Sequence, residues 1–261
     1  MFILMIFVFG RPGRRCEMDT PQVVVMTHAL SYAGPGVLAA PSRAPSNVFL
    51  CHDPAFVDEV ARTQFMQQWP GVLASSASTP EALIEDALQR FSKVDKLISN
   101  DVGPALWTPL EEGEAVDLRE ALETMVVWPY RLLSSAALAM KERGEGRIVL
   151  VTSAAPLRPA PGFVVYASAR AAASAMARAA AKELAPQGIQ INAVAPNFLE
   201  SAQYYPYDQW SSPQALEQLR ERVPMARLGR AIEIGELILF LLSGRTDFVT
   251  GEVINFTGGW S

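Results

Sequence analysis

From residue 21 onward, short apolar runs alternate with longer segments whose apolar positions recur at helical spacing. That rhythm belongs to successive strand-helix units and predicts one parallel sheet with helices on both faces, a three-layer α/β architecture. Strands are expected over residues 22–27, 47–52, Val72–Ser75, 94–99, 147–152, 190–195 and Val253–Phe256, and helices over 54–69, Pro80–Phe91, 114–143, 166–185 and 232–243. Ser78 or Thr79 offers the N-cap of the second helix. Pro129 is expected to interrupt the third, Gly144-Glu145-Gly146 to end it, and Pro186 with Gly188 to stop the fourth. Two stretches read as loops: 33–45, rich in Pro, Gly and Ala after the first strand, and 196–213, rich in Pro and Tyr after the sixth.

The chain has 261 residues and shows no repeat or linker, so a single domain over 20–261 is expected. Half of the residues are hydrophobic and 19% are charged, enough apolar material for a large core. The net charge is −5 with Lys and Arg scattered, which leaves no basic face for nucleic acid. Residues 1–19 read as an apolar and basic extension, too short an apolar run to span a bilayer and without a cleavage site, hence non-essential to the fold. Two cysteines, Cys16 and Cys51, give no disulfide framework, a usage that fits a reducing cytoplasm, with Cys51 a small buried hydrophobe. His28 and His52 are the only histidines and belong to no cluster of metal-ligand spacing, so no metal is expected.

The candidate chemistry lies in Ser153, Tyr166 and Arg170. Ser153 follows a strand, Tyr166 stands thirteen positions on, and Arg170 lies one helical turn beyond that tyrosine, on the same face. An unperturbed phenol, of pKa about 10, is ionised to about one part in a thousand at neutral pH, and a fixed cation beside it favours the phenolate. Tyr166 is therefore a candidate general base on a substrate hydroxyl that Ser153 holds, tuned by Arg170.

A Ser followed by Tyr-x-x-x-Lys after the fifth strand is the pattern of the short-chain dehydrogenases and reductases, which this chain resembles from residue 21 onward, including Val194-Ala-Pro196 and Thr257-Gly-Gly259. It departs from them where Arg170 replaces the lysine that holds the nicotinamide ribose, and where Thr27-His-Ala-Leu-Ser-Tyr-Ala-Gly-Pro-Gly36 puts Tyr32 into the glycine-rich turn that receives a pyrophosphate. With both changes the chain resembles the halohydrin dehalogenases, relatives whose nicotinamide site has become a halide site. The resemblance implies a Rossmann-like fold, a Ser153, Tyr166 and Arg170 triad, Asp101 as the group orienting Arg170, and a halide pocket formed by Pro196, Asn197, Phe198, Leu199 and Tyr32. Backbone N–H groups can hold an anion there without a cationic side chain.

The resemblance further implies cofactor-free closure of vicinal haloalcohols to epoxides, epoxide opening by halide, azide, cyanide or nitrite, and a homotetramer built on the 114–143 and 166–185 helices. The small molecules are then the only partners besides further copies of the chain, with neither nucleic acid nor membrane among them. Two other readings stay open at this point. Gly34, Gly36 and Asp53 would support an atypical NAD(P)-dependent reductase, although Asp53-Pro54 reads equally as a helix N-cap and Asp101 as a turn cap. A degenerate, non-enzymatic binding subunit is the other. Trp128, Tyr130, Trp210 and the 204–207 run read as core, interface or pocket wall, with 196–213 the source of substrate specificity.

Overall fold

The computed structural model describes residues 21–210 and 212–261, so the extension expected over 1–19, Cys16 included, lies outside the described residues. Seven parallel strands form one sheet in the order β3-β2-β1-β4-β5-β6-β7: β1 Val23–Met26, β2 Val48–His52, β3 Val72–Ser75, β4 Lys96–Ser99, β5 Gly146–Val151, β6 Ile189–Pro196 and β7 Val253–Phe256. Each expected strand is present. Helices α1 Gly34–Ala39, α2 Glu59–Gln68, α3 Pro80–Phe91, α4 Ala115–Leu122, α5 Trp128–Arg143, α6 Val164–Leu184, α7 Tyr207–Trp210, α8 Pro213–Arg222 and α9 Ala231–Leu242 complete the chain.

The strands are buried on both faces, and the alternation of their side chains separates two cores. In β1, Val24 and Met26 join the core under α1 and α9, while Val25 faces the core under α3, α5 and α6. In β5 the same parity sends Val149 and Val151 one way and Ile148 and Leu150 the other.

Three local expectations change. Residues 33–45 do not form a loop throughout, because Gly34–Ala39 is helical and packs against α9. A Cβ at Gly36 would stand 1.8 Å from the Ala231 carbonyl oxygen, so this glycine is explained by backbone-to-backbone packing. Residues 54–69 divide into a 3₁₀ turn, Pro54–Val57, and α2, because Asp58 caps a fresh start by accepting from Val60 N–H at 2.9 Å. The interruption expected at Pro129 is a π-helical turn, Glu123–Val127, immediately before it. The wider turn moves the Met125 carbonyl away from a proline ring that would otherwise collide with it, and α5 continues with Pro129 in its first turn.

The 196–213 segment, too, is not loop throughout, because it holds α7. Helix α8, which starts at its end, was not anticipated: Ser212 caps α8, accepting from Ala215 N–H at 3.2 Å. Cys51 is fully buried in the sheet, as expected, and burial pushes its thiol pKa up. Among the described residues no helix is long and apolar enough to cross a membrane, and no group of His, Cys, Asp and Glu side chains is arranged to hold a metal.

Candidate active site

A cavity of about 730 Å³ opens beyond the carboxyl ends of the central strands, where ligands gather in open α/β sheets. Ser153, from the end of β5, and Tyr166, from the first turn of α6, line it together with Tyr32, Pro196, Asn197, Phe198 and Leu199. Residues far apart in the chain thus meet at one site, and Arg170 lies directly behind it, with Cζ 5.3 Å from the Tyr166 ring centre.

Arg170 is the largest of the fully buried side chains, at 1% exposure. Its Nη1 donates to the Asp101 carbonyl at 2.9 Å and to the Val151 carbonyl at 3.5 Å, while Nε and Nη2 find no acceptor. Among the described residues no carboxylate forms an ion pair with it. A buried cation without a carboxylate strongly favours any neighbour able to become an anion. Tyr166 is that neighbour. Burial alone would raise its pKa, but the Arg170 charge and polar contacts with Ser153 and Tyr204 outweigh it and hold the phenol below its ordinary value.

Asp101 meets Arg170 by a route the sequence does not disclose. Its main-chain carbonyl takes the guanidinium, whereas its carboxylate accepts from His28 Nδ1–H at 3.1 Å and from the Ser99 hydroxyl. The side chain fixes the end of β4, and the backbone orients Arg170. Ser153 accepts from Ala155 N–H at 3.1 Å and has the Pro196 carbonyl 3.4 Å away.

Tyr32 has φ +53°, a left-handed conformation that costs a non-glycine residue about 1–2 kcal/mol. Asn100 stabilises it from both sides: its amide donates to Ser31 O at 2.9 Å and to His28 O at 3.0 Å, and its oxygen lies 3.4 Å from Ala33 N. The ring is buried and meets Tyr204 edge-on, with centres 5.2 Å apart.

The segment after β6 has few free donors. Pro196 has no N–H, Asn197 N–H donates to Phe256 O at 3.1 Å, and Phe198 N–H, at a residue with φ +54°, donates to Asn197 Oδ1 at 3.0 Å. The Leu199 N–H makes no hydrogen bond among the described residues, since its neighbours on either side pair with Gly229. Within residues 196–199 it is the one main-chain N–H without a partner among the described residues.

The dinucleotide features have other partners. Asp53 accepts from Ala55 N–H at 3.1 Å and Leu30 N–H at 3.0 Å, so it caps the turn after β2 and ties down the β1 loop. Gly34 and Gly36 are committed to packing against main chain, and Tyr32 stands in the cavity wall. The residues present do not fit a nicotinamide dinucleotide. Sequence reasoning missed Arg158, Phe163 and Trp260 as cavity walls, and Gln203, Tyr204 and Tyr205 of the 196–213 segment also line the cavity.

A family model described as Enoyl-(Acyl carrier protein) reductase matches residues 71–261. A 3-oxoacyl-(acyl-carrier-protein) reductase of Thermotoga maritima is 32% identical over 185 residues, which cover 68% of this chain and 70% of that protein. The chain belongs to the short-chain dehydrogenase/reductase family. Among solved structures, one described as a dehalogenation enzyme is similar at 39% identity and a TM-score of 0.88, covering 93% of this chain and 99% of its own. A halohydrin dehalogenase bound to ethyl (2S)-oxiran-2-ylacetate is similar at 35% identity and the same TM-score, covering 91% and 96%. Within the short-chain dehydrogenase/reductase family, this chain therefore resembles the halohydrin dehalogenases at higher identity than the reductase above.

Proposed function

We propose that the protein is a halohydrin dehalogenase, converting vicinal haloalcohols to epoxides without a redox cofactor. The observation that carries this reading is the buried Arg170 guanidinium, without a carboxylate partner among the described residues, behind the Tyr166 phenol in a cavity that the Tyr32 ring also lines. Tyr166 as phenolate takes the proton of the substrate hydroxyl, and Ser153 hydrogen-bonds the same oxygen. The alkoxide attacks the neighbouring carbon from behind the carbon–halogen bond; the new C–O bond closes the epoxide as the halide leaves with the bonding pair.

Charge accumulates on the departing halide, so a donor already fixed in a water-poor wall stabilises it most. Leu199 N–H supplies that donor, Phe198 N–H joins it when the Asn197 amide turns aside, and Tyr32 and Pro196 enclose the anion. Run backwards, the same steps open an epoxide with halide, azide, cyanide or nitrite. The exposed apolar residues Val116, Leu118, Val127, Tyr130, Leu138 and Val164 on α4, the π turn, α5 and α6 support assembly through these helices into a homotetramer, and the cysteine usage supports a reducing, cytoplasmic setting.

The test is bromide release from a simple vicinal bromoalcohol with no nicotinamide added. Stoichiometric bromide and epoxide are expected from the wild type. Absence of release, together with saturable binding of NADH or NADPH, would return the protein to the reductases.

A further inference from the structure

Three further phenols cluster with the proposed base Tyr166. Tyr166 comes from α6, Tyr32 from the β1 loop, and Tyr204 and Tyr205 from the segment after β6. Arg170, the Ser153 hydroxyl and Tyr204 act on Tyr166, and the Tyr166 charge in turn raises Tyr32, Tyr204 and Tyr205. One cation offsets one anion, so a single phenol of the group ionises readily. Burial, followed by the neighbouring phenolate, pushes Tyr32 up and raises Tyr204 to about 12, so Tyr204 keeps its hydrogen across the neutral range.

That hydrogen has two claimants. The Tyr204 hydroxyl donates to the Gly103 carbonyl at 2.5 Å, and the Tyr204 ring centre lies 6.0 Å from that of Tyr166. Gly103 stands two residues beyond Asp101, whose carbonyl holds Arg170, so the cation and the second phenol are anchored to one short segment after β4. A hydrogen bond to a charged oxygen is about twice as strong as one to a neutral carbonyl, so ionisation of Tyr166 redirects the hydrogen.

We propose that Tyr204 is a positioning residue for the Tyr166 base: its hydroxyl rests on Gly103 O while Tyr166 is protonated and turns to the Tyr166 oxygen when that oxygen is anionic. The inference rests on the reading of Tyr166 as base. Tyr204 keeps its own proton throughout, and the only bond exchanged is a hydrogen bond. The cycle follows substrate deprotonation, because the phenolate gains a donor before the reaction and surrenders it on becoming a phenol.

Tyr204→Phe retains the ring packed on Tyr32 and removes the hydroxyl. Phenolate formation is read by ultraviolet difference titration of the full chain, with Tyr166→Phe identifying the Tyr166 signal, and bromide release is followed over the same pH range. The expected result is a Tyr166 midpoint higher by about one unit. Release at pH 7 should fall between about threefold and tenfold, because a more basic phenolate recovers part of the lost fraction, and should approach the wild-type rate above the new midpoint. An unmoved midpoint, or a loss equal at every pH, would overturn the proposal and leave Tyr204 as cavity wall. If Tyr204→Phe melts well below the wild type, Tyr204→Gln restores a donor and must restore the midpoint; failure to do so also overturns it. The titration separates the two claims, since absent bromide release would count against the dehalogenase reading while the phenolate midpoint still reports on Tyr204.

Discussion

Replacing Arg170 with methionine removes the charge while keeping a long apolar stem. The guanidinium carbon lies 5.3 Å from the Tyr166 ring centre. At an effective dielectric constant of about 20, unit charges at that separation interact by roughly 3 kcal/mol, or about two pKa units. Burial, which now opposes ionisation of Tyr166, would then act unopposed by the cation. The phenolate fraction at pH 7 should drop about a hundredfold, and bromide release from a bromoalcohol should drop with it and recover as the pH is raised. Stability should change little, unlike the usual loss of a buried contact. Arg170 carries two nitrogens without acceptors and no carboxylate, so its apolar replacement should lie within about 1 kcal/mol of the wild type in urea unfolding. A variant that loses less than about threefold in rate, or loses the same factor at every pH, would refute the charge-tuning argument.

Tyr166→Phe should lower halide release by about 10²–10⁴-fold and Ser153→Ala by about 10²–10³-fold, with unchanged circular dichroism. Arg170→Lys should lose most activity despite keeping the charge, since the shorter lysine carries its nitrogen one bond short of the Nη1 position that donates to both Asp101 O and Val151 O, as kcat/KM would show. The pH profile of kcat/KM should rise to a plateau through a midpoint below 10, because the deprotonated phenol is the active form and its pKa is depressed. The stability that this pairing contributes is likewise complete above the unfolded value near 10 and lost as pH falls through the lowered folded value. Gly36→Ala would drive a methyl into the Ala231 carbonyl and should cost about 1–3 kcal/mol in denaturant unfolding, without touching the cavity.

Periodicity made the sheet legible because strands buried on both faces are continuous apolar runs, and Thr79 with Gly144 bounds the neighbouring helices by local chemistry alone. Helix α1 was hidden because Gly34-Pro35-Gly36 carries loop composition, and its helical form depends on packing against α9, residues away by nearly the whole chain. Helix α7 was hidden by the Pro- and Tyr-rich composition around it. At the site, the spacing of Ser153, Tyr166 and Arg170 was legible because strand end and helix face are local geometry. The main-chain role of Asp101, the use of Asn100 to brace Tyr32, and the Leu199 N–H left without a partner among the described residues depend on contacts between distant loops, which residue identity does not encode. Tyr204 could be read only as wall, since its hydroxyl acquires meaning from Gly103 and Tyr166.

The direct measurement of the central claim is the position of bromide in crystals soaked with it, located by anomalous scattering. A bromide held at the Leu199 N–H and enclosed by Tyr32, within reach of a substrate carbon facing Tyr166, is the result expected. Bromide confined to the protein surface, or a dinucleotide bound across the Tyr32 ring when NADH is offered, would contradict it.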